Sequence, residues 1–534
     1  MPNYLENQSG KLVLGLITVI LGSFIIFSGL ALAEDGTLVI ARPSDAISLD
    51  SNVETTAPGA WVYGNIIEPL VYLNKNMELE PRLAKDWEYV EPTQLRFHLR
   101  EGIKFHDGTP FNAEAVKFTF HRALKEEPLA NWATLGAEPI KEVEVVDEYT
   151  VDIVTEQPYG PLPQVMAMVY TGIISPTAVE KHGDKYGRNP VGTGPFKFEN
   201  WIPRNKIVLT ANENYWQGPP KLDRVEFRVI PEEGPRMMAL RSGEADVVLK
   251  PSPPQIPSFE QDPNFEVKEV KGLRVFFMGF NTNLEPVDDI RVRHAVAQAI
   301  DRKSILENIL EGAATESTVS LLANGVFGHY GPDMDQMYPY NPERARELLT
   351  EAGLEDTDGD GFREMNGEDV VLRGLPAQGR YLKDKQIAEA VAAQLREVGL
   401  KVQMEFYEWA TTFSKVRSKE FPYHLHSFGW VTTNADADYT LFPMFKSDKL
   451  PPNGWNAFRY SNAEVDKLIT EARNTVDREK RKKLYARAQS IIAAELPYVP
   501  IYTTKETAVI SSDVEGLDMH PVEYNLNLYP VSKS

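Results

Sequence analysis

The sequence predicts an α/β protein with more than one domain. Two kinds of segment alternate along the chain. In one kind apolar and polar residues alternate, as in half-buried strands, and the other has the period of amphipathic helices. The chain has 534 residues, which is more than a single hydrophobic core usually serves. Its content of 42% hydrophobic and 25% charged residues is typical of a soluble globular protein.

Residues 1–33 are predicted to be a signal peptide for export. Leu12–Leu30 is a long apolar run, and Ala31-Leu32-Ala33 after it fits a cleavage site behind Ala33. An alternative is an uncleaved anchor, because the run is long enough to span a bilayer and only Lys11 supplies positive charge before it. In both interpretations the rest of the chain lies outside the cytoplasm.

The segment Leu83–Leu124 contains three structural signals in direct succession. Residues 95–100 alternate between apolar and polar side chains, which predicts a half-buried strand. His106-Asp107-Gly108-Thr109 predicts a turn. Asn112 is a suitable N-cap for the amphipathic helix that follows.

The apolar periods of strands and helices also predict elements later in the chain. Strands are predicted at Lys206–Thr210, Arg224–Ile230, Leu273–Phe280, Lys401–Tyr407 and Tyr423–Trp430. Helices are predicted at Asp289–Ile300, Asp384–Val398, Ala463–Ala472 and Arg478–Glu495. The proline-rich residues Pro251–Pro263 predict a surface loop with a short helix.

Composition excludes several kinds of site. The chain has no cysteine, which rules out disulfides, cysteine-ligated zinc, iron–sulfur clusters and thiol nucleophiles. The net charge of −21, without a basic run, argues against nucleic acid as a partner. The motifs of serine hydrolases, zinc proteases, P-loops and dinucleotide-binding loops are absent from the sequence, so we do not expect an enzyme. Gly192-Thr193-Gly194 fits a tight turn rather than a phosphate-binding loop.

A series of short motifs along the chain resembles one family of proteins. After Leu83–Leu124 come Asn189–Phe196, Asn214–Trp216, Ser242–Asp246, Asp288–Arg293, Ala299–Arg302, Asn462–Asp466 and Pro497–Pro500. In this order and spacing they resemble the peptide/nickel family of solute-binding proteins, family 5, which are the extracytoplasmic receptors of ABC importers.

The resemblance implies a two-lobed periplasmic-binding-protein fold with hinge strands. Lobe I would combine residues 34–272 and 504–534, with an extra subdomain at about 68–187, and lobe II would span 273–503. A small solute or peptide would be enclosed between the lobes by hinge closure and passed to the membrane permease subunits of the importer. We expect a monomer in the periplasm, and no lipoprotein, because there is no cysteine to carry a lipid.

The resemblance also implies where the ligand binds. Related peptide binders have a strand that ends in Gly-Trp, here Gly429-Trp430, and an aspartate three residues later that pairs with the peptide ammonium. Thr433 stands at that position, and a hydroxyl does not replace a full charge opposite a buried ammonium. Within the same turn, which includes Asn434, either Asp436 or Asp438 supplies the missing charge, or both cap the next helix.

Six other residues are ligand candidates through the same resemblance. Trp409 and Trp430 match two cleft tryptophans and either cover a ligand face or pack within lobe II. Arg380 is a candidate anchor for a carboxylate, with a solvated surface arginine as the alternative. Thr55, Thr56 and Ala57 belong to a predicted loop, 55–59, whose backbone contacts bound peptide.

One segment resembles the first half of a calcium-binding loop. Its candidate ligands at positions one, three, five, seven and nine are Asp356, Asp358, Asp360, Phe362 and Glu364. Position twelve, usually a bidentate glutamate, is Gly367. The segment is therefore either a structural calcium site or an acidic turn, and no cofactor is otherwise expected. His424 and His426, which are two residues apart on one strand, are a weaker candidate for a transition metal or ordinary strand residues.

Two alternative functions stay open on the sequence. An oligosaccharide-binding or sensing receptor on the same scaffold would stack Trp409 and Trp430 on sugar rings. A secreted hydrolase would use scattered carboxylates, for which the sequence offers no motif.

Overall fold

The structure, a computed structural model, describes residues 36–125 and 139–534. The predicted signal peptide and its cleavage site behind Ala33 lie outside the described residues. Within the described ranges, no helix is long and apolar enough to cross a membrane.

Helices and strands alternate along the chain, as the sequence predicts. The helices are α1 Ala57–Tyr63, α2 Ala113–Lys125, α3 Leu162–Val165, α4 Pro176–His182, α5 Glu233–Arg241, α6 Ile256–Glu260, α7 Ile290–Ala299, α8 Arg302–Asn308, α9 Met334–Met337, α10 Pro342–Glu351, α11 Asp384–Glu397, α12 Trp409–Val416, α13 Asp438–Phe445, α14 Ala463–Arg473 and α15 Arg478–Glu495. The strands are β1 Thr37–Arg42, β2 Val71–Leu73, β3 Leu79–Pro81, β4 Ala84–Glu91, β5 Gln94–Leu99, β6 Ile140–Asp147, β7 Thr150–Thr155, β8 Phe196–Ile202, β9 Lys206–Ala211, β10 Arg224–Val229, β11 Val247–Leu249, β12 Phe265–Phe280, β13 Ala314–Thr315, β14 Glu364–Met365, β15 Glu368–Asp369, β16 Val371–Leu375, β17 Lys401–Met404, β18 Leu425–Val431, β19 Tyr498–Ser511, β20 Val514–Glu515 and β21 Ser532–Lys533.

A long mixed sheet connects the two ends of the fold. Its strand order is β17-β16-β18-β12-β19-β11-β1-β10-β9-β8, with β13 also paired to β19. Strand β1 is parallel to both of its neighbours, and β16 is parallel to both of its own. All six residues of β1 are buried, so this strand is covered on both faces, as expected of a parallel strand in an α/β sheet.

Strands β12 and β19 form the middle of this sheet and pair antiparallel over most of their length. On the side away from β19, β12 pairs with β18. On the side away from β12, β19 pairs with β11. The β12–β19 ladder shifts register between Lys271 and Val275, which face Lys505 and Thr503. The predicted lobe boundaries, at residues 272/273 and 503/504, fall at this shift, and the assignment of residues to lobes stays a prediction.

A separate antiparallel sheet, β4-β5-β7-β6, contains the predicted strand of Leu83–Leu124. The side chains of Leu95, Phe97 and Leu99 are buried, and Asn112 accepts a hydrogen bond of 3.2 Å from the Ala115 N–H at the start of α2. The predicted succession of strand, turn and capped helix is confirmed.

Some predicted boundaries need correction. The strand predicted at Lys401–Tyr407 ends at Met404, and β12 begins at Phe265, earlier than predicted. The predicted loop 55–59 is wrong in part, because α1 begins at Ala57 with Thr56 in the N-cap position. Pro58 fits the first turn of a helix, where its missing N–H costs nothing, and Trp61 is buried by the helix.

Candidate functional site

A cavity of about 460 Å³ lies beside the paired strands β12 and β19. Its wall is formed by residues from distant parts of the chain. Its charged and aromatic lining includes Arg236, Lys250, Arg274, Arg380, Tyr381 and Glu523. Arg274 lies on β12, and Arg380 and Tyr381 lie in the connection between β16 and α11.

Part of the charge on the cavity wall is neutralised by ion pairs. Glu523 accepts hydrogen bonds from Arg274 at 2.9 Å and contacts the Lys250 ammonium at 3.2 Å. Lys250 also binds Glu506 at 2.6 Å. Burial opposes ionisation of Glu523, yet the neighbouring Lys250 and Arg274 charges lower its pKa to about 2. For Glu506 burial prevails, and its pKa is raised.

Arg380 differs from these cations because it has no acidic partner. Among the described residues, no carboxylate lies within 4.0 Å of its guanidinium, which lies 5.7 Å from the ring of Tyr381. The side chain is exposed, whereas its backbone N–H is fixed by a 2.9 Å hydrogen bond to the buried carboxylate of Asp384. The predicted anchor Arg380 therefore has a fixed backbone and a guanidinium available to an anion.

Aromatic side chains support the wall on which Arg380 stands. The Tyr381 ring contacts Phe276 and Trp409, with centroids 5.4 and 5.5 Å away, and its hydroxyl donates to the Gly429 carbonyl at 3.3 Å. Trp409, the first residue of α12, also contacts Phe428 at 5.1 Å. Trp409 thus supports Tyr381 from behind and is not part of the cavity lining.

Trp430 lies on β18 and has a different set of contacts from Trp409. Its indole N–H donates to the Thr440 hydroxyl at 3.0 Å, and its ring packs on Trp455 and Tyr439. Trp430 is half-buried and does not line the 460 Å³ cavity. Both alternatives for this tryptophan, ligand cover and packing, stay predictions.

The turn after Trp430 is buried and tied to an earlier part of the chain. Thr433 shares a hydrogen bond of 2.8 Å with the Tyr170 hydroxyl. Asn434 accepts a hydrogen bond from the Asp436 N–H through its side-chain oxygen at 3.0 Å. Tyr170 belongs to the predicted subdomain, so this turn joins the predicted subdomain to lobe II.

Each of the two aspartates in this turn forms an ion pair. Asp436 binds Arg481 at 2.6 Å, and both side chains are fully buried. Asp438 binds Arg473 at 2.7 Å. Burial raises the pKa of Asp438, although Arg473 opposes this. Asp436 also accepts the Asp438 N–H at the start of α13, so it acts as a helix-capping group as well.

These ion pairs leave some polar atoms of the turn without a partner. One oxygen of Asp436, one of Asp438 and the amide nitrogen of Asn434 are buried, and within the described residues they have no hydrogen-bond partner. The prediction that one of these aspartates receives a ligand ammonium therefore stays open.

The other predicted positions are separate from the cavity. Thr56 donates its N–H to Glu54 at 2.7 Å, and Thr55, Thr56 and Ala57 do not line the cavity. His426 is buried against Phe277 and Phe458. His424 accepts a hydrogen bond from the Arg373 N–H at 2.9 Å, and the choice between a transition-metal site and ordinary strand residues stays a prediction.

Sequence reasoning missed Arg274, Lys250 and Glu523. They come from three segments that contain no motif. Strand β19 lies between β12, which carries Arg274, and β11, which Lys250 follows, and Glu523 reaches both cations from the segment between β20 and β21. The residue of this wall that the sequence did indicate is Arg380, because the family resemblance implies a carboxylate-binding arginine near this point.

Known proteins are similar to this chain over most of its length. Residues 78–451 match the model of the bacterial extracellular solute-binding proteins, family 5. Heme-binding protein A of Haemophilus influenzae is 32% identical over 491 residues, which cover 88% of this chain and 86% of that protein. The glutathione-binding protein GsiB of Shigella flexneri is 30% identical over 522 residues, 96% of this chain and 97% of that protein.

The structure agrees with the sequence match. The solved structure of HbpA2 from Haemophilus parasuis superposes with a TM-score of 0.81 at 27% identity, covering 93% of this chain and all of that chain. The predicted two-lobed fold and the predicted family are thereby confirmed. The chain belongs to family 5 of the bacterial extracellular solute-binding proteins.

Proposed function

We propose that this protein binds a small peptide-like solute with a free carboxylate, which Arg380 holds in the 460 Å³ cavity. The observation that carries the proposal is the exposed guanidinium of Arg380, which has no carboxylate partner among the described residues. The other cations of the wall are engaged: Lys250, Arg274 and Lys505 pair with glutamates, and Arg236 donates to backbone carbonyls. A guanidinium binds a carboxylate through two parallel hydrogen bonds, which gives both affinity and orientation. Tyr381 would cover one side of such a solute.

The relatives support this choice of solute. One is named for glutathione, a tripeptide with two carboxylates, and another for haem, which carries two propionates. The shared chemistry of these ligands is an organic body with a carboxylate at its end. A peptide is the better match to the cavity because its charged groups and short side chains suit a wall of arginines, lysine and glutamate.

We further propose that the loaded protein hands its solute unchanged to the membrane permease of an ABC importer. The mature chain would begin after Ala33, remain monomeric in the periplasm and close its two lobes on the solute, with residues 34–272 plus 504–534 in one lobe and 273–503 in the other. The family membership supports this course of events, since the family consists of extracellular solute-binding proteins.

Calorimetry with a matched pair of ligands tests the role of Arg380. Glutathione and a dipeptide would be compared with their C-terminally amidated forms, on the wild type and on Arg380→Ala. We expect the variant to lose about 10–100-fold in affinity for the free acid, because a charge-assisted hydrogen bond is worth roughly 1.5–3 kcal/mol. The amide should bind wild type and variant alike.

The control is Arg344→Ala, an exposed arginine on α10 that pairs with Glu347 and Glu351 away from the cavity. Equal losses for acid and amide in Arg380→Ala would contradict the proposed anchor. Oligosaccharides belong in the same screen, and binding that Trp430→Ala abolishes would favour the sugar-receptor alternative. Mass spectrometry of the recovered ligand would reveal any turnover, which the receptor function excludes.

A further inference from the structure

The acidic segment between α10 and β16 forms a closed loop. Its base is fixed by two backbone hydrogen bonds between Glu355 and Glu364, of 2.8 and 3.3 Å. Within the loop, carboxylate oxygens of Asp356, Asp358, Asp360 and Glu364 all lie within 4.8 Å of one another. Four negative groups at this spacing repel one another, and a cation between them would offset that repulsion.

No side chain of the described residues supplies that cation. None of the four carboxylates has an ion-pair partner within 4.0 Å in residues 36–125 and 139–534. Arg363 lies beside them in sequence, but its guanidinium donates to the carbonyls of Val398 and Leu354. Lys401, the next nearest lysine, pairs with Asp369 at 2.6 Å.

Glu364 supplies a second, independent indication of a bound ion. Its side chain is only 7% exposed, and one carboxylate oxygen accepts hydrogen bonds from the backbone and hydroxyl of Thr357. The other oxygen is buried and has no hydrogen-bond partner among the described residues. An unpartnered buried carboxylate oxygen is costly, and here it belongs to the same cluster as three further carboxylates.

We propose that this loop binds one Ca²⁺ ion, with Asp356, Asp358, Asp360 and the unpartnered oxygen of Glu364 as ligands. The donor set consists of hard oxygens, which favours Ca²⁺ or Mg²⁺ over transition metals. Ca²⁺ accepts irregular arrangements of six to eight oxygens, whereas Mg²⁺ requires an octahedron. Three exposed carboxylates and one buried carboxylate on a short loop therefore suit Ca²⁺ better.

The position of Glu364 explains how the loop differs from an EF-hand. Gly367, at position twelve, lies in the tight turn between β14 and β15 with a φ of +81°. Glu368 is exposed on β15 opposite Met365. Glu364, at position nine, takes over as the buried carboxylate, and the site therefore closes within nine residues. The ion is structural, since it lies apart from the residues that line the cavity.

Calcium titration of the full mature chain, first stripped with EGTA, tests this site. We expect one Ca²⁺ per chain by calorimetry, with a dissociation constant in the range of roughly 10⁻⁵–10⁻³ M that extracellular and sensor sites cover. Saturating Ca²⁺ should raise Tm by at least about 1 °C, and Mg²⁺ should raise it less. Asp358→Asn and Glu364→Gln should each weaken Ca²⁺ binding by at least about tenfold.

Glu368→Gln is the matched control, because it removes the same charge four residues from Glu364 without touching the cluster. It should leave Ca²⁺ affinity within about twofold, and glutathione binding should be equal in all variants. Absence of Ca²⁺ heat and of a Tm rise at millimolar Ca²⁺ would overturn the proposal. So would a loss of binding in Glu368→Gln with none in Glu364→Gln. Asp358 is exposed, so its variant keeps the test valid if Glu364→Gln fails to fold.

Discussion

The buried ion pair between Asp436 and Arg481 allows a decisive test of what the turn after Trp430 does. Both side chains have no exposed surface, and Arg481 also donates to the Gly160 carbonyl at 3.0 Å. Replacing Asp436 with Asn keeps the shape of the side chain but removes its charge. The buried guanidinium of Arg481 then loses its counter-charge, which makes unfolding easier.

The size of the effect follows from the burial of both partners. Removing one partner of a fully buried pair costs about 3–5 kcal/mol, because the remaining charge is left uncompensated. An unfolding entropy of about 2 cal/mol/K per residue gives about 1 kcal/mol/K for a chain of this length. We therefore expect Asp436→Asn to lower Tm by about 3–5 °C.

A double-mutant cycle separates the pair from its surroundings. Asp436→Asn, Arg481→Met and the double variant would be measured by urea unfolding at pH 7. The double variant should lose less free energy of unfolding than the two single variants together, by about 1–3 kcal/mol, because it buries no unpaired charge. The exposed pair Glu464 and Arg487 is the matched control on α14 and α15, and its removal should change stability by less than about 0.5 kcal/mol.

Ligand titration of the same variants distinguishes the two roles of Asp436. If its charge serves Arg481, Asp436→Asn binds glutathione with an affinity within about threefold of the wild type. A loss of more than about a hundredfold in affinity with unchanged stability would refute this reasoning and assign the carboxylate to the ligand ammonium.

Two further predictions concern the core. Burial lowers the pKa of His426 to about 3, below the unfolded value of about 6.5, so the neutral native ring contributes stability above pH 6.5 that is lost as pH falls toward 3. The free energy of unfolding, measured with urea, should therefore fall less between pH 7 and pH 4.5 in His426→Leu than in the wild type, by up to about 2–3 kcal/mol. Equal falls in the two proteins would contradict the role of His426. Gly192→Ala should destabilise the protein by about 1–3 kcal/mol, since the added Cβ would lie 2.2 Å from the Ile66 carbonyl oxygen. Gly234→Ala, where the Cβ meets open space, is the control, and equal melting of the two variants would count against close packing at Gly192.

Elements whose signals are local could be predicted from the sequence. Helix α15 has the bounds that its apolar period indicates, and Asp477 caps it through the Lys480 N–H at 2.7 Å. The first half of β12, from Phe265 to Lys271, could not be predicted. Its side chains are exposed or half-buried, and it is a strand because Lys505–Ser511 of β19 pair with it.

The candidate site was predictable only where one segment carries it. Arg380 could be proposed because the family resemblance implies a carboxylate-binding arginine near this point, just ahead of an amphipathic helix. The surroundings of Thr433 could not, because its partner Tyr170 lies 263 residues earlier in the chain. Likewise, Glu523 and Arg274 are 249 residues apart, so their contact depends on the packing of the finished fold.

The register shift in the β12–β19 ladder gives the long sheet a crease. On β12, four residues advance from Lys271 to Val275, while β19 advances only two, from Lys505 to Thr503. A second shift follows directly, between Phe276 and Phe277, which face Tyr502 and Pro500. Arg274 stands inside the crease and also lines the cavity. A solute bound in this cavity would therefore touch the long sheet at the place where its central ladder is least regular.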